Sequence, residues 1–355
     1  MKLNREVLKK LLEAPGISGR ESFVSNIIKE NIKKYDLNLE YDNLGSIWGI
    51  KKSKNKDAKK LMIEAHMDEV GFMVTDISKK GFIYFEAFGG VWESSLNLTR
   101  LRVWTDDYKN SFSGVVVLPN SNSHQGKGEN VEIQKMLLDI GARNEEEVKN
   151  WGIKKGSVIT FDSKVEFNGS RVMSKSVDNR IGVSIIIQLM KFIQNKEFDF
   201  DIIIGCTTQE ETGLTGARVS SFKYDVDIAM VIDVSPALDF NNPSEPKGIL
   251  GKGTMLRHKD ARTIYKKEVI QYLRKLMKNN KIKYQDYFSM GGTNAGNIHL
   301  AKNGITVIPI GLVSRNLHTS SSIFDIFDYC ETLKLTKEIL NDLNFDKINN
   351  LIKQH

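Results

Sequence analysis

Strand and helix alternate at both ends of this chain but not in its middle, and that break constrains the fold most. Before residue 69 the pattern gives a helix over 4–13 and a turn at Ala14-Pro15-Gly16. A second helix over about 19–34 follows, then an alternating hairpin-like stretch, LNLEYDNLGSIWGI, and a short apolar strand, LMIEAHMD (61–68). After residue 168 the texture returns: SVDNRIGVSIIIQLMKFIQ as helix, FDIIIGCTT and IAMVIDVS as strands, a helix over 263–279, ITVIPIGLV as strand and a helix over 323–343. Apolar strands alternating with helices predict an α/β sheet covered by helices on both faces. Between the two parts, short alternating runs (GFMVTDI, GFIYFEAF, LRVWTD, GVVVLP) are broken by glycine, asparagine and aspartate, with one helical stretch near 131–150. They predict a compact β-rich unit inserted into the α/β domain. The expected organisation is a first catalytic part over 1–68, an insert over 69–162 and a second catalytic part over 163–355.

Ser18 and Glu21 have the S-x-x-E spacing of a capping box and are expected to open the second helix. The net charge of +7 raises nucleic acid or an anionic membrane as partner. The lysines, however, are scattered in mixed runs such as KKSKNKDAKK and RKLMKNNKIK, which suit solvated loops and helix faces. No apolar run approaches the ~20 residues that span a bilayer, and the N-terminal segment lacks the continuous apolar core of a signal peptide. Two distant cysteines, Cys206 in a buried strand and Cys330 in a helix, make no disulfide framework and point to a reducing compartment. The expectation is a soluble cytoplasmic protein with neither nucleic acid nor membrane as partner.

Five segments end an apolar strand, or open a helix, with a histidine or carboxylate. His66 closes LMIEAHMD, and Asp68 lies two residues on, on the same side of an extended chain. They read equally well as a core His–Asp pair or as a metal ligand anchored by a carboxylate. Asp178 opens a helix, where a cap is the favoured reading of the position by itself. Glu210 and Glu211 follow DIIIGC directly, at the carboxyl end of a sheet strand, where α/β folds place their sites. In extended chain the two point to opposite sides, leaving one to ligate and the other to carry protons. Asp233 ends IAMVIDVS, where an unpaired carboxylate would be costly to bury, and His318 follows ITVIPIGLV. Two imidazoles and three carboxylates suit a pair of zinc-like ions sharing one carboxylate. His258, His299 and His355 read as structural or surface residues, and a contribution of His124 from a neighbouring subunit is left open, not the favoured reading. GGTNAG lacks the lysine and Ser/Thr of a phosphate loop.

In this order LLEAPGISGRE, AHMDEVGFMV, LLDIGA, SVDNRIG, QEETGLTGA, VIDVS, GGTNAG and the His318 segment resemble the dinuclear-metal glutamyl-aminopeptidase and tetrahedral-aminopeptidase family, some members of which are labelled endoglucanases. The resemblance implies a zinc-peptidase-like α/β domain with an inserted barrel-like dimerisation domain, assembled as a homo-oligomeric dodecamer that admits short peptides. It implies two divalent ions, zinc or else cobalt or manganese. His66 and Asp233 would hold one, Glu211 and His318 the other, with Asp178 bridging. Glu210 would be the general base acting on a metal-activated water, and Asp68 would orient His66. Three positions depart from the family pattern: Asn294 where aspartate is usual, Val313-Ser314-Arg315-Asn316 where Pro-Thr-Arg-Tyr is usual, and Thr319 where serine is usual. Competing readings are a glycosidase using Glu210 and Glu211, and a non-catalytic protein of the same fold. The first is poor, because adjacent residues do not readily hold carboxyls on two faces of a sugar, ~5 Å or more apart.

Overall fold

A computed structural model describes residues 3–118, 132–241 and 247–353. His124 and His355 lie outside the described residues. The main sheet has eight strands in the order Asn38–Tyr41, Ile47–Lys51, Asp201–Thr207, Lys60–His66, Ile228–Pro236, Thr306–Ser314, Thr254–Lys259 and Tyr284–Phe288. The hairpin expected from LNLEYDNLGSIWGI forms its antiparallel edge, with Asn38 opposite Ile50. The four central strands, 201–207, 60–66, 228–236 and 306–314, run parallel, so their carboxyl ends open on one edge.

These strands are continuous apolar runs because both faces are covered. Helix Val177–Ile193 is buried almost all round, packing on the sheet through one face and on helix Arg5–Glu13 through another. Arg5–Glu13 is amphipathic and buries only Leu8, Leu11 and Leu12; Asn4 caps it by accepting from Val7 N at 3.2 Å.

Strands Gly71–Ile77, Ile83–Phe88, Leu137–Asp139, Ser111–Val117, Arg100–Trp104 and Val158–Phe161 close into a six-stranded barrel. Its core is separate from that of the sheet and centres on Phe72, whose ring meets Phe85 and Phe161 edge-on at 5.3 and 5.6 Å. A third, antiparallel sheet joins Glu166–Asn168, Arg171–Ser174 and Ser322–Asp325.

Several local expectations are corrected. The second helix spans Ser22–Ile32 and Glu21 makes no side-chain cap. Ser18 instead donates to Asp68 Oδ2 at 2.6 Å, and Glu21 accepts from the amides of Gly19 and Gln209. The buried carboxylate of Asp68 takes the hydroxyl that the helix end was expected to use. The helix expected near 131–150 is only Glu145–Asn150, preceded by strand Leu137–Asp139 that the barrel needs for closure. The helix expected from 263 begins at Lys267, and that expected from 323 begins at Ile326, because Ser322–Asp325 pairs as a strand.

Candidate metal centre

His66, Asp178, Glu210, Glu211, Asp233 and His318 converge at the carboxyl edge of the four parallel strands. His66 ends the central strand beside Thr207, and Asp233 lies near the carboxyl end of the next, opposite Gly311, with the strand running on to Pro236. Asp178 sits in a non-helical stretch at the start of its helix, at φ −76° and ψ 113°, and does not cap it. The capping reading therefore fails, because the aspartate points its oxygens at two imidazoles. His66 Nε2 lies 3.1 Å from Asp178 Oδ1 and 3.6 Å from Asp233 Oδ1. His318 Nε2 lies 3.6 Å from Asp178 Oδ2 and 3.4 Å from Glu211 Oε1.

Glu210 and Glu211 do not divide between opposite sides as extended chain would. The strand stops at Thr207, Gln209 turns left-handed at φ 53°, and both carboxyls come within 4.8 Å of His66 and of each other. Asp68 holds this turn: its Oδ1 accepts from Glu210 N at 3.0 Å and its Oδ2 from Glu211 N at 3.1 Å. Ser176, Leu214, Asn316 and His318 also have positive φ, so left-handed backbone clusters around the ligating side chains.

Both imidazoles are oriented through Nδ1. His66 donates to the carbonyl of Asp68 at 3.2 Å, with Asp68 Oδ1 at 3.4 Å, and His318 donates to the carbonyl of Gly90 at 2.9 Å. Nε2 of each then faces the acids. Gly90 belongs to the loop 89–92 that follows barrel strand Ile83–Phe88, so the insert helps to orient His318. Neighbouring Gly89, at φ 86°, has no room for a Cβ, which would lie 2.6 Å from Val70 and 3.2 Å from Glu211.

The electrostatics show why the site favours cations. Burial would depress both imidazoles, yet His66 is held well above its ordinary pKa by Glu210, Asp178 and Asp233. His318 is pushed up to about 11 by Glu211 and Asp178. Burial raises Glu210, Glu211 and Asp233, while Asp178, also buried, is lowered by the two histidines. So many buried carboxylates demand cations. Glu211 Oε1 is buried without a hydrogen bond. Three groups have ligand atoms within 4.8 Å: His66–Asp178–Asp233, His66–Glu210–Glu211 and Asp178–Glu211–His318. The donor set fits a pair of divalent ions.

Sequence reasoning missed the supporting roles of four groups. Glu64 is fully buried behind His66, where burial pushes its carboxyl up to about 7; it accepts from Thr207 and from Asn294, each at 2.9 Å. A glutamate inside an apolar strand was the available signal. Gly90 and Ser18 left none, because their partners are distant in sequence. Asn294 was noted as a departure; it lies beneath the site against Glu64 and Thr207. In the 313–316 departure, Arg315 forms a bidentate pair with Asp239 at 2.7 and 2.8 Å. His258 pairs with Asp286 at the surface, and His299 bonds the carbonyl of Ala295.

Among the described residues no helix is long and apolar enough to cross a membrane. The M42 glutamyl aminopeptidase family profile matches residues 45–335. The glutamyl aminopeptidase of Lactococcus lactis subsp. cremoris is 33% identical over 348 residues, covering 96% of this chain and 97% of the relative. Among solved structures, aminopeptidase APDkam598 of Desulfurococcus kamchatkensis superposes with a TM-score of 0.92 at 30% identity, over 98% of this chain and 97% of that one. The TET1 peptidase of Pyrococcus horikoshii, which can assemble into a tetrahedron or a large octahedral shell, has a TM-score of 0.85 at 25% identity, over 96% and 99%. With a barrel-bearing α/β fold shared end to end and a matching profile across most of its length, this chain belongs to the M42 glutamyl aminopeptidase family and is an aminopeptidase, a hydrolase.

Proposed function

We propose that the chain removes the N-terminal residue from short peptides with two divalent ions held by His66, Asp178, Glu211, Asp233 and His318. The observation that supports this reading most is the placement of Asp178, with one oxygen toward His66 and the other toward His318. His66 and Asp233 would hold one ion, Glu211 and His318 the other, and Asp178 both. Imidazole and carboxylate donors without thiolate suit zinc, and also cobalt or manganese. When bound, such ions polarise a peptide carbonyl and make water more acidic.

The chain's own residues supply the rest. Glu210 stands beside the ligands with a buried carboxyl raised well above its ordinary pKa, first by burial and then by Asp233 and Glu211 acting against His66. It is the proton carrier: it takes a proton from the attacking water and returns it to the leaving amine. Asp68 fixes His66 through Nδ1 and both glutamates through their amides. The glycosidase reading gains nothing, since the carboxyls of Glu210 and Glu211 both turn toward His66 and do not flank the two faces of a sugar.

We read the barrel as the dimerisation module of a dodecamer, supported by the likeness to a peptidase that forms a tetrahedral shell. We assign the cytoplasm as compartment because Cys206 and Cys330 are both free thiols. The decisive experiment is Glu210→Gln. Hydrolysis of aminoacyl-anilides should fall by about 10²-fold or more while bound metal per chain, by elemental analysis, stays at the wild-type value. Normal turnover in that variant ends the assignment.

A further inference from the structure

A cavity of about 690 Å³ opens over the ligand cluster. Its wall is uneven in charge. Among the described residues, Asp178, Glu210, Glu211 and Asp233 are the only acidic side chains in it, and all four belong to the site just described. Beyond the two ligand histidines, Arg262 is the only basic side chain in that wall among the described residues.

Arg262 is held ready rather than left over. Its amide donates to Asp260 Oδ1 at 2.8 Å, and the same carboxylate accepts from Thr263 N, Tyr265 and Thr293, which fixes the turn. Its side chain runs along two glycines of the GGTNAG segment. A Cβ on Gly296 would lie 2.9 Å from Arg262 Cβ and 3.0 Å from Cδ; one on Gly292 would lie 3.8 Å from Cδ and Nε. The same Gly296 Cβ would lie 3.4 Å from Leu214 Cδ1, three residues from Glu211, so the arginine runs close to the ligand loop.

The guanidinium has no hydrogen bond or ion pair among the described residues. The other arginines near this edge are committed. Arg315 is paired bidentately with Asp239, and buried Arg257 donates to Ser235 and to the carbonyl of Asp233. An unpaired guanidinium fork in a cavity wall matches the geometry of a carboxylate.

We propose that Arg262 is a specificity-determining residue that binds a carboxylate of the peptide close to the scissile bond. The inference rests on the aminopeptidase reading above. Two parts of a short peptide carry that chemistry: the side chain of an N-terminal Glu or Asp, and the terminal carboxylate of a dipeptide. Asn294, one of the departures from the family pattern, lies below the ligands on Glu64.

The test measures kcat/KM for wild type, Arg262→Ala, Arg262→Lys and Arg262→Glu. The substrates are Glu-, Asp-, Leu- and Lys-anilides, with Ala-Ala and its C-terminal amide. Charge-assisted hydrogen bonds of this kind correspond to roughly 10- to 100-fold in rate. If the carboxylate is that of the first side chain, Arg262→Ala lowers the Glu/Leu ratio by that factor, Arg262→Lys restores part of it, and Arg262→Glu turns the preference toward Lys. If it is the terminal carboxylate, the ratio of Ala-Ala to its amide falls and the anilide ratios hold. Movement of either ratio supports the proposal. In Arg262→Ala, both ratios staying within twofold of wild type overturns it, provided metal content and thermal melting are unchanged. A wild type that cleaves none of the panel instead removes the aminopeptidase reading, and this proposal with it.

Discussion

Asp68 ties the site together one side chain at a time. Its carboxylate accepts from Ser18 Oγ and from the amides of Glu210 and Glu211, and it faces His66 Nδ1 at 3.4 Å. Burial would raise it, but His66 and Ser18 outweigh burial and hold it below the ordinary range, so it stays ionised. Replacing it with alanine keeps the main-chain carbonyl on His66 Nδ1 but removes the carboxylate beside it, and leaves the amides of Glu210 and Glu211 and the Ser18 hydroxyl without their acceptor. Groups that orient metal-binding histidines in this way are worth about 10- to 100-fold in affinity or activity. Asp68→Ala should therefore weaken both turnover and retention of metal on dialysis. Loss of turnover with unchanged metal affinity would show instead that it acts only on the glutamate turn. The pair Glu210-Glu211 was legible at this scale, because two acids after a buried strand are hard to explain otherwise. Gly90 was not, since a main-chain carbonyl carries no side-chain signature.

Among elements, helix Ile326–Asp342 shows how a terminus organises distant chain. Asp325 caps it by accepting from Phe327 N at 2.9 Å. Asp328, in its first turn, accepts from the amides of Gly251 and Gly253, which pins that turn to the helix. Burial is the main reason its carboxyl is pushed up to about 6, against the pull of those amides. Between pH ~4, where it titrates in the unfolded chain, and pH about 6, the folded state binds the extra proton. Stability from this group is thus fully present below pH ~4 and lost as pH rises through 6. Asp328→Asn should remove a decline of about 2–3 kcal/mol across that window, measured by urea unfolding at several pH values. An unchanged pH profile would refute the assignment. Element type followed from periodicity here, but the first three residues of the expected helix became part of strand Ser322–Asp325 through pairing with Arg171–Ser174. That pairing joins residues about 150 apart and has no local sign.

For the whole molecule, the buried excess of carboxylates couples metal to stability. Cations that bind only the folded state stabilise it by mass action, about 3–4 kcal/mol at a hundred- to thousandfold excess over Kd. Exhaustive chelation should lower the melting temperature by several degrees, and zinc should restore it. No change on chelation would separate the acid cluster from metal binding. Assembly is tested at the same scale. Light scattering on the native protein should give a particle of twelve times the 40.2 kDa chain mass; a monomer would refute the dodecamer.

The linear order of residues determined the α/β alternation, the β-rich insert and which strands end in a histidine or an acid, because apolar periodicity and a charge at a buried strand end are local properties. It left Asp178 between cap and ligand, Ser18 on the wrong partner and Arg262 without notice. Only the tertiary structure decided these. A ligand set is defined by oxygens and nitrogens a few ångströms apart, and the parallel strands bring together groups separated by more than two hundred residues. Strand ends also bend, as at left-handed Gln209, so that Glu210 and Glu211 share one site where extended chain would have parted them.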